Sequence, residues 1–149
     1  MNTHNDPRNT AKALEPLAAR LTDGSLSPHE LGRAGEDYAC ALLRTHGWRV
    51  LDRNWHSRYG ELDIVGVDTD GCLVFVEVKT RRGVAHGTSK EAVTEHKRTA
   101  LRHTSYQWLR EHPMPALAMR HDVMAITVYL PRPGEPAALP QVEMVKGAF

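Results

Sequence analysis

Residues 61–82, ELDIVGVDTDGCLVFVEVKTRR, hold two apolar runs separated by DTDG at 68–71. Asp and Gly between two β-branched runs predict a hairpin, so strands at 61–68 and 73–82 should lie antiparallel side by side. In the second run Glu77 and Lys79 stand where a buried strand would continue with apolar residues. Side chains alternate across a strand, so Glu77 and Lys79 share a face, as do Glu61 and Asp63 on the strand before. Pairing the two strands would gather two or three carboxylates and one ammonium at one end of a sheet.

Upstream, WRVLDRNW at 48–55 reads as a further strand, joined to the hairpin by a polar turn from Ser57 to Gly60. Before it, Ser27-Pro28-His29-Glu30 combines a cap, a first-turn proline and the acid of a capping box. Leu31, Ala34, Tyr38, Leu42 and Leu43 then recur at helical spacing until Gly47 stops the helix. Downstream of a glycine-containing loop at 83–89, residues 90–111 set Val93, Lys97, Ala100, Leu101, Thr104, Trp108 and Leu109 along a second helix, ended by Pro113 and Pro115. A fourth strand, HDVMAITVYL, follows, then a proline-rich hinge at 131–140 and a short terminal segment, QVEMVKGAF. The order helix, three strands, helix, strand predicts an α/β domain around one central mixed sheet. That domain is expected over residues 28–149, with 1–27 a flexible leader holding at most one helical turn.

The 149 residues suit one domain, and 41% hydrophobic with 25% charged content is ordinary for a globular chain. No apolar run reaches the length of a membrane helix and no secretory signal is visible, so a cytoplasmic location without membrane contact is expected. Cys40 and Cys72 have no metal-ligand spacing and read as small buried side chains. Charge is unevenly spread: residues 79–112 carry eight Lys/Arg against three Glu, leaving the rest of the chain net negative. One basic face toward a polyanion would account for this, and so would a solvated helix. Trp48, Trp55 and Trp108 are expected in the core rather than stacked on bases.

Adjoining carboxylates offer hard oxygen donors, which suit Mg²⁺ or Mn²⁺ and a phosphate substrate, with the lysine beside them. An ordinary same-face ion pair, worth a few tenths of a kcal/mol, is the competing reading of Glu77 and Lys79. The surroundings separate the two: an acidic strand lies just upstream and Arg81 and Arg82 lie just downstream.

Asp63 followed after a hairpin by Glu77-Val78-Lys79 resembles the Asp…(Asp/Glu)-x-Lys signature of restriction-endonuclease-like nucleases. Over residues 31–149, GEDYACALL, GWRVLDRNW, GELDIV, FVEVKTR, EAVTEHK and RHDVMAI succeed one another as in the YraN family, a group similar to archaeal Holliday-junction resolvases. The resemblance implies that Asp63 and Glu77 bind the metal with the Val78 carbonyl as a third contact. It implies that Lys79 positions water and offsets phosphate charge, and that Glu36 completes the catalytic set. Glu61, on the face of Asp63, would support the site from behind. Arg81, Arg82, Lys97 and Arg98 would follow a nucleic-acid backbone. The sequence departs from the broad signature at Glu61, where proline is usual, and at His121, where an aromatic is usual.

The expected function is therefore a divalent-metal-dependent endonuclease acting on DNA, branched or damaged DNA in recombination or repair being the substrate the resemblance favours. A homodimer would suit symmetric cutting of two strands. Residue identity leaves open a catalytically silent nucleic-acid-binding or scaffolding protein with the same fold.

Overall fold

The computed structural model describes residues 7–83, 94–115 and 118–149. Helices α1 (Pro7–Leu21) and α2 (Pro28–Thr45) precede strands β1 (Arg49–Ser57), β2 (Gly60–Val67) and β3 (Leu73–Arg82), and α3 (Glu95–Glu111) leads to β4 (Met119–Val128) and β5 (Gln141–Val145). The five strands form one sheet in sequential order. Its pairings are antiparallel except for β3 with β4, which run parallel because α3 carries the chain back across the sheet. The expected α/β fold with a mixed sheet is present, with one added element at each end. The first residues expected in the second helix, 90–93, lie outside the described residues, as does most of the loop before it.

Local chemistry sets the boundaries. The Ser27 side chain accepts from the Glu30 N–H while Glu30 accepts from the Ser27 N–H, so the capping box starts α2. Gly47 ends it with φ of +86°, a conformation that glycine adopts without strain. Asp68 accepts from the N–H groups of Asp70 and Cys72 and so builds the β2–β3 turn.

Helices cover both faces of the sheet. On one side Ile64, Val74, Val76, Met124, Ile126 and Val128 meet α1 and α2, and on the other Leu62, Val65, Leu73 and Phe75 meet Trp108 of α3. β3 is buried on both faces through Val76, which explains its unbroken apolar run. The helix α2 crosses β3 so closely at Gly35 that a Cβ there would overlap the Thr80 side chain. Trp108 is buried, with Trp48 and Trp55 packed against the two cores, as expected. Both cysteines are free. Among the described residues no helix is long and apolar enough to cross a membrane.

The leader expectation needs correction: its residues from Pro7 onward form a 15-residue helix whose Leu14, Ala18 and Leu21 are buried in the α2-side core. Pro16 lies inside this helix, where it removes one backbone donor. An interior proline costs about 3 kcal/mol, whereas burying two leucines recovers about 1.5–3 kcal/mol each. Burial outweighs the missing hydrogen bond. Arg20 and Arg53 both bind the Asp37 carboxylate, at 3.0 and 2.6 Å, tying α1 and β1 to α2.

Candidate active site

The β2–β3 ladder runs from Val67↔Leu73 to Ile64↔Val76 and stops there. At the next position Asp63 replaces the strand's own carbonyl as acceptor: its Oδ2 takes the Val78 N–H at 2.9 Å. This leaves Asp63 and Glu77 side by side on the α3 face, lining the same small cavity. Two carboxyl groups placed so close in an apolar surround favour a state in which one of them keeps a proton.

The surroundings favour that proton. Below the pair, Leu62, Phe75, Leu101, His121 and Phe149 wall a small cavity. Burial in these walls, then the charge of Glu77, pushes Asp63 up to about 8. Burial also raises Glu77, while the Lys79 and Lys97 charges pull the other way. The two acids titrate as one unit. His121 fills the place of an aromatic: its ring stacks on Phe75 and Phe149 at centroid distances of 5.3 and 4.9 Å, and its Nε2 bonds the Ser105 hydroxyl at 2.9 Å. Burial lowers its pKa, so it packs as a neutral ring.

Glu36 reaches the same cluster from α2. It is half-buried, and burial, then the charges of Asp63 and Glu61, raises its pKa. Glu61 is exposed and lies 3.6 Å from His56 Nε2. Glu36, Glu61, Asp63, Glu77 and Lys79 are thus drawn together from one helix and two strands. Val78 contributes its N–H to Asp63 and its side chain to the α2-side core.

Among the expected backbone-binding cations, Lys97 is exposed at the start of α3, within electrostatic reach of Glu77. Arg98 is half-buried beside it, 3.8 Å from Glu95, and Arg81 is half-buried on β3. Arg82 is different. Its guanidinium donates to the carbonyls of Leu26, Asp23 and Gly24 at 2.8, 3.4 and 3.5 Å, so it clasps the α1–α2 turn instead of facing outward. The expectation that it tracks nucleic acid is corrected accordingly. Asn54, which sequence reasoning passed over, contacts both Glu36 and Glu61.

Among the described residues no group of three or more His, Cys, Asp or Glu side chains is arranged to hold a metal ion. A cation here would draw on two carboxylates, backbone oxygen and water, a donor set characteristic of Mg²⁺.

The fold and site define a class: an α/β protein whose mixed sheet carries a buried acid pair and a lysine where two strands part. The model described as "Uncharacterised protein family UPF0102" matches residues 35–126. A UPF0102 protein of Bifidobacterium longum subsp. infantis is 46% identical over 115 residues, covering 76% of this chain and 93% of that one. Another from Rhodococcus opacus is 45% identical over 120 residues, covering 80% and 95%. The chain belongs to the UPF0102 family, the YraN group named above. Among solved structures it is similar to a repair endonuclease from Pyrococcus abyssi, at 18% identity and a TM-score of 0.34, covering 70% of this chain and 39% of that one.

Proposed function

We propose that this protein is a divalent-metal-dependent endonuclease that hydrolyses phosphodiester bonds in DNA, acting on branched or damaged substrates. The observation that carries the reading is the buried Asp63–Glu77 pair, held together with Lys79 adjacent on the same strand face. Two ionised carboxylates in an apolar surround repel each other, and a divalent cation bound between them would offset that repulsion. The donors are all oxygen, which favours Mg²⁺ or Mn²⁺. Asp63 and Glu77 would hold the ion, with the Val78 carbonyl as a third contact. When bound, the ion supplies polarisation of a phosphoryl oxygen and a more acidic water.

The chain's own groups do the rest. The Lys79 ammonium offsets charge on the phosphate as it grows in the transition state. Glu36, raised by burial, is poised to take a proton from attacking water. Lys97 and Arg98 on α3 and Arg81 on β3 neutralise backbone phosphates, giving affinity that falls with salt.

The test is incubation of the purified protein with labelled linear, nicked, flapped and four-way-junction DNA, with Mg²⁺, Mn²⁺ or chelator, beside Glu77→Ala and Lys79→Ala. Metal-dependent cleavage that disappears in both variants is the expected result. Binding without cleavage on every substrate, unchanged in the variants, would replace this reading with a catalytically silent scaffold.

A further inference from the structure

Asn54 lies in the middle of β1 with φ of +49°, the one non-glycine with positive φ among the described residues. In the β1–β2 ladder it falls between Arg53↔Ile64 and Trp55↔Leu62, which sets it opposite Asp63. A left-handed residue inside a strand persists only where its surroundings hold it there, and such residues cluster at functional sites. Here the surroundings are two acids from two different elements. Both present carboxylate oxygens, so the amide nitrogen is the atom that faces them: it donates to Glu36 Oε2 at 2.8 Å and to Glu61 Oε1 at 3.2 Å. One neutral NH₂ group thereby uses both its hydrogens to join α2 to β2.

Three acids, Glu36, Glu61 and Asp63, face one another across this corner. Left to themselves, the long Glu36 and Glu61 side chains would swing apart into water. We propose that Asn54 is a positioning residue of the carboxylate site: its left-handed backbone aims the amide between Glu36 and Glu61 and keeps Glu36 turned toward Asp63. The inference rests on the nuclease reading above for its catalytic consequence, while the bridge itself is a structural claim. Asn suits the position twice over, because its short amide side chain tolerates the left-handed region and also supplies the paired donors.

Two substitutions separate the backbone from the amide. Glycine adopts positive φ freely, so Asn54→Gly keeps the bend of β1 and removes the donor. Asn54→Asp keeps the shape and replaces the donor with a fourth carboxylate. Both variants should keep a cooperative thermal transition. Both should bind Mn²⁺, read from the electron paramagnetic resonance signal of the free ion, about 10- to 100-fold more weakly or cut DNA about 10- to 100-fold more slowly, the loss typical for a group that orients ligands. The loss should fall in kcat, with KM changed less than about twofold. Wild-type kcat and Mn²⁺ affinity in either variant would overturn the proposal.

A second measurement judges the bridge without activity. Urea midpoints of wild type, Asn54→Gly, Glu36→Gln and the double variant form a cycle. Shifts that fail to add confirm the contact, and strictly additive shifts overturn it. If the wild type neither binds Mn²⁺ nor cuts any substrate, the nuclease reading fails, and the urea cycle still decides whether Asn54 holds Glu36.

Discussion

Two buried acid centres sit in this sheet, and they are finished in opposite ways. Asp122 on β4 is fully buried and fully answered: Arg120 binds it through two nitrogens at 2.8 and 3.0 Å, and the Gly147 N–H adds a third bond at 2.9 Å. The same arginine reaches Asp68 at 3.2 Å, so one cation closes two acids and fastens the β2–β3 turn to β4. Asp63 and Glu77, only a strand away, receive among the described residues one backbone N–H, with the Lys79 and Lys97 charges as their nearest electrostatic relief. Carboxylates thus serve as a bolt in one place and as a strained, sparsely answered pair in the other. What distinguishes them is the count of donors aimed at the oxygens, since burial is common to both.

The satisfied Asp122 centre has the most to lose. Arg120→Ala strands the Asp122 carboxylate in the core, and removing one partner of a buried pair costs about 3–5 kcal/mol. Urea denaturation should show that loss; a cost under about 1 kcal/mol would mean that Gly147 and water suffice.

At the other end the sign reverses. Asp63→Asn cannot ionise, keeps an acceptor for the Val78 N–H and offers Glu77 a donor. Metal-free, it should be more stable than wild type at pH 8 by at least about 1 kcal/mol, roughly one pKa unit of relief, while losing any metal-dependent activity. A lower thermal midpoint at that pH would show that Asp63 is structural after all.

The pH profile sharpens the same contrast. Asp63 is raised from 3.8 to about 8, so its contribution to metal-free stability is complete below about pH 4 and drains away as pH climbs toward 8. Asp68 is lowered: burial would raise it, but the Cys72 and Asp70 N–H groups and Arg120 more than compensate. Its contribution is present above 3.8 and disappears as pH falls below that value. Thermal midpoints across pH should therefore decline on two limbs, and Asp63→Asn should flatten only the alkaline one. Loss of the acid limb in that variant would contradict the assignment.

The smallest effect is expected between the centres, at His121. Replacing it with phenylalanine keeps the stack on Phe75 and Phe149 and strands only the Ser105 hydroxyl, which also donates to the Leu101 carbonyl. Chemical denaturation should register less than about 1.5 kcal/mol. A larger cost would make the His121–Ser105 bond a structural element in its own right.

Much of this was legible in the chain. The capping box at Ser27, the stop at Gly47 and the turn at Asp68 are local signals, each written in adjacent residues, and the structure uses all three. Alternation in LVFVEVK placed Glu77 and Lys79 on one face, and the hairpin brought Asp63 beside them. What escaped depended on contacts remote in sequence. The α1 stripe of Leu14, Ala18 and Leu21 has helical spacing, yet only packing on α2 outweighs Pro16. Arg82 looked like its neighbours in a basic run until the α1–α2 turn supplied three carbonyls for it. The terminal segment pairs as β5 because β4 offers it an edge, a partner that the segment's own residues do not announce. Asn54 carried no signal at all, since its unusual φ arises from acids that lie 18 positions before it and 7 after it.

Gly35 gives the site a different kind of definition. Because helix backbone rests directly against Thr80, nothing compressible separates the helix that carries Glu36 from the strand that carries Lys79. Their spacing behaves like a machined tolerance, fixed by main-chain thickness on one side and a single hydroxyl-bearing side chain on the other. Any methyl group added at position 35 would act as a shim, lifting one half of the acid cluster off the other without touching a single charged residue.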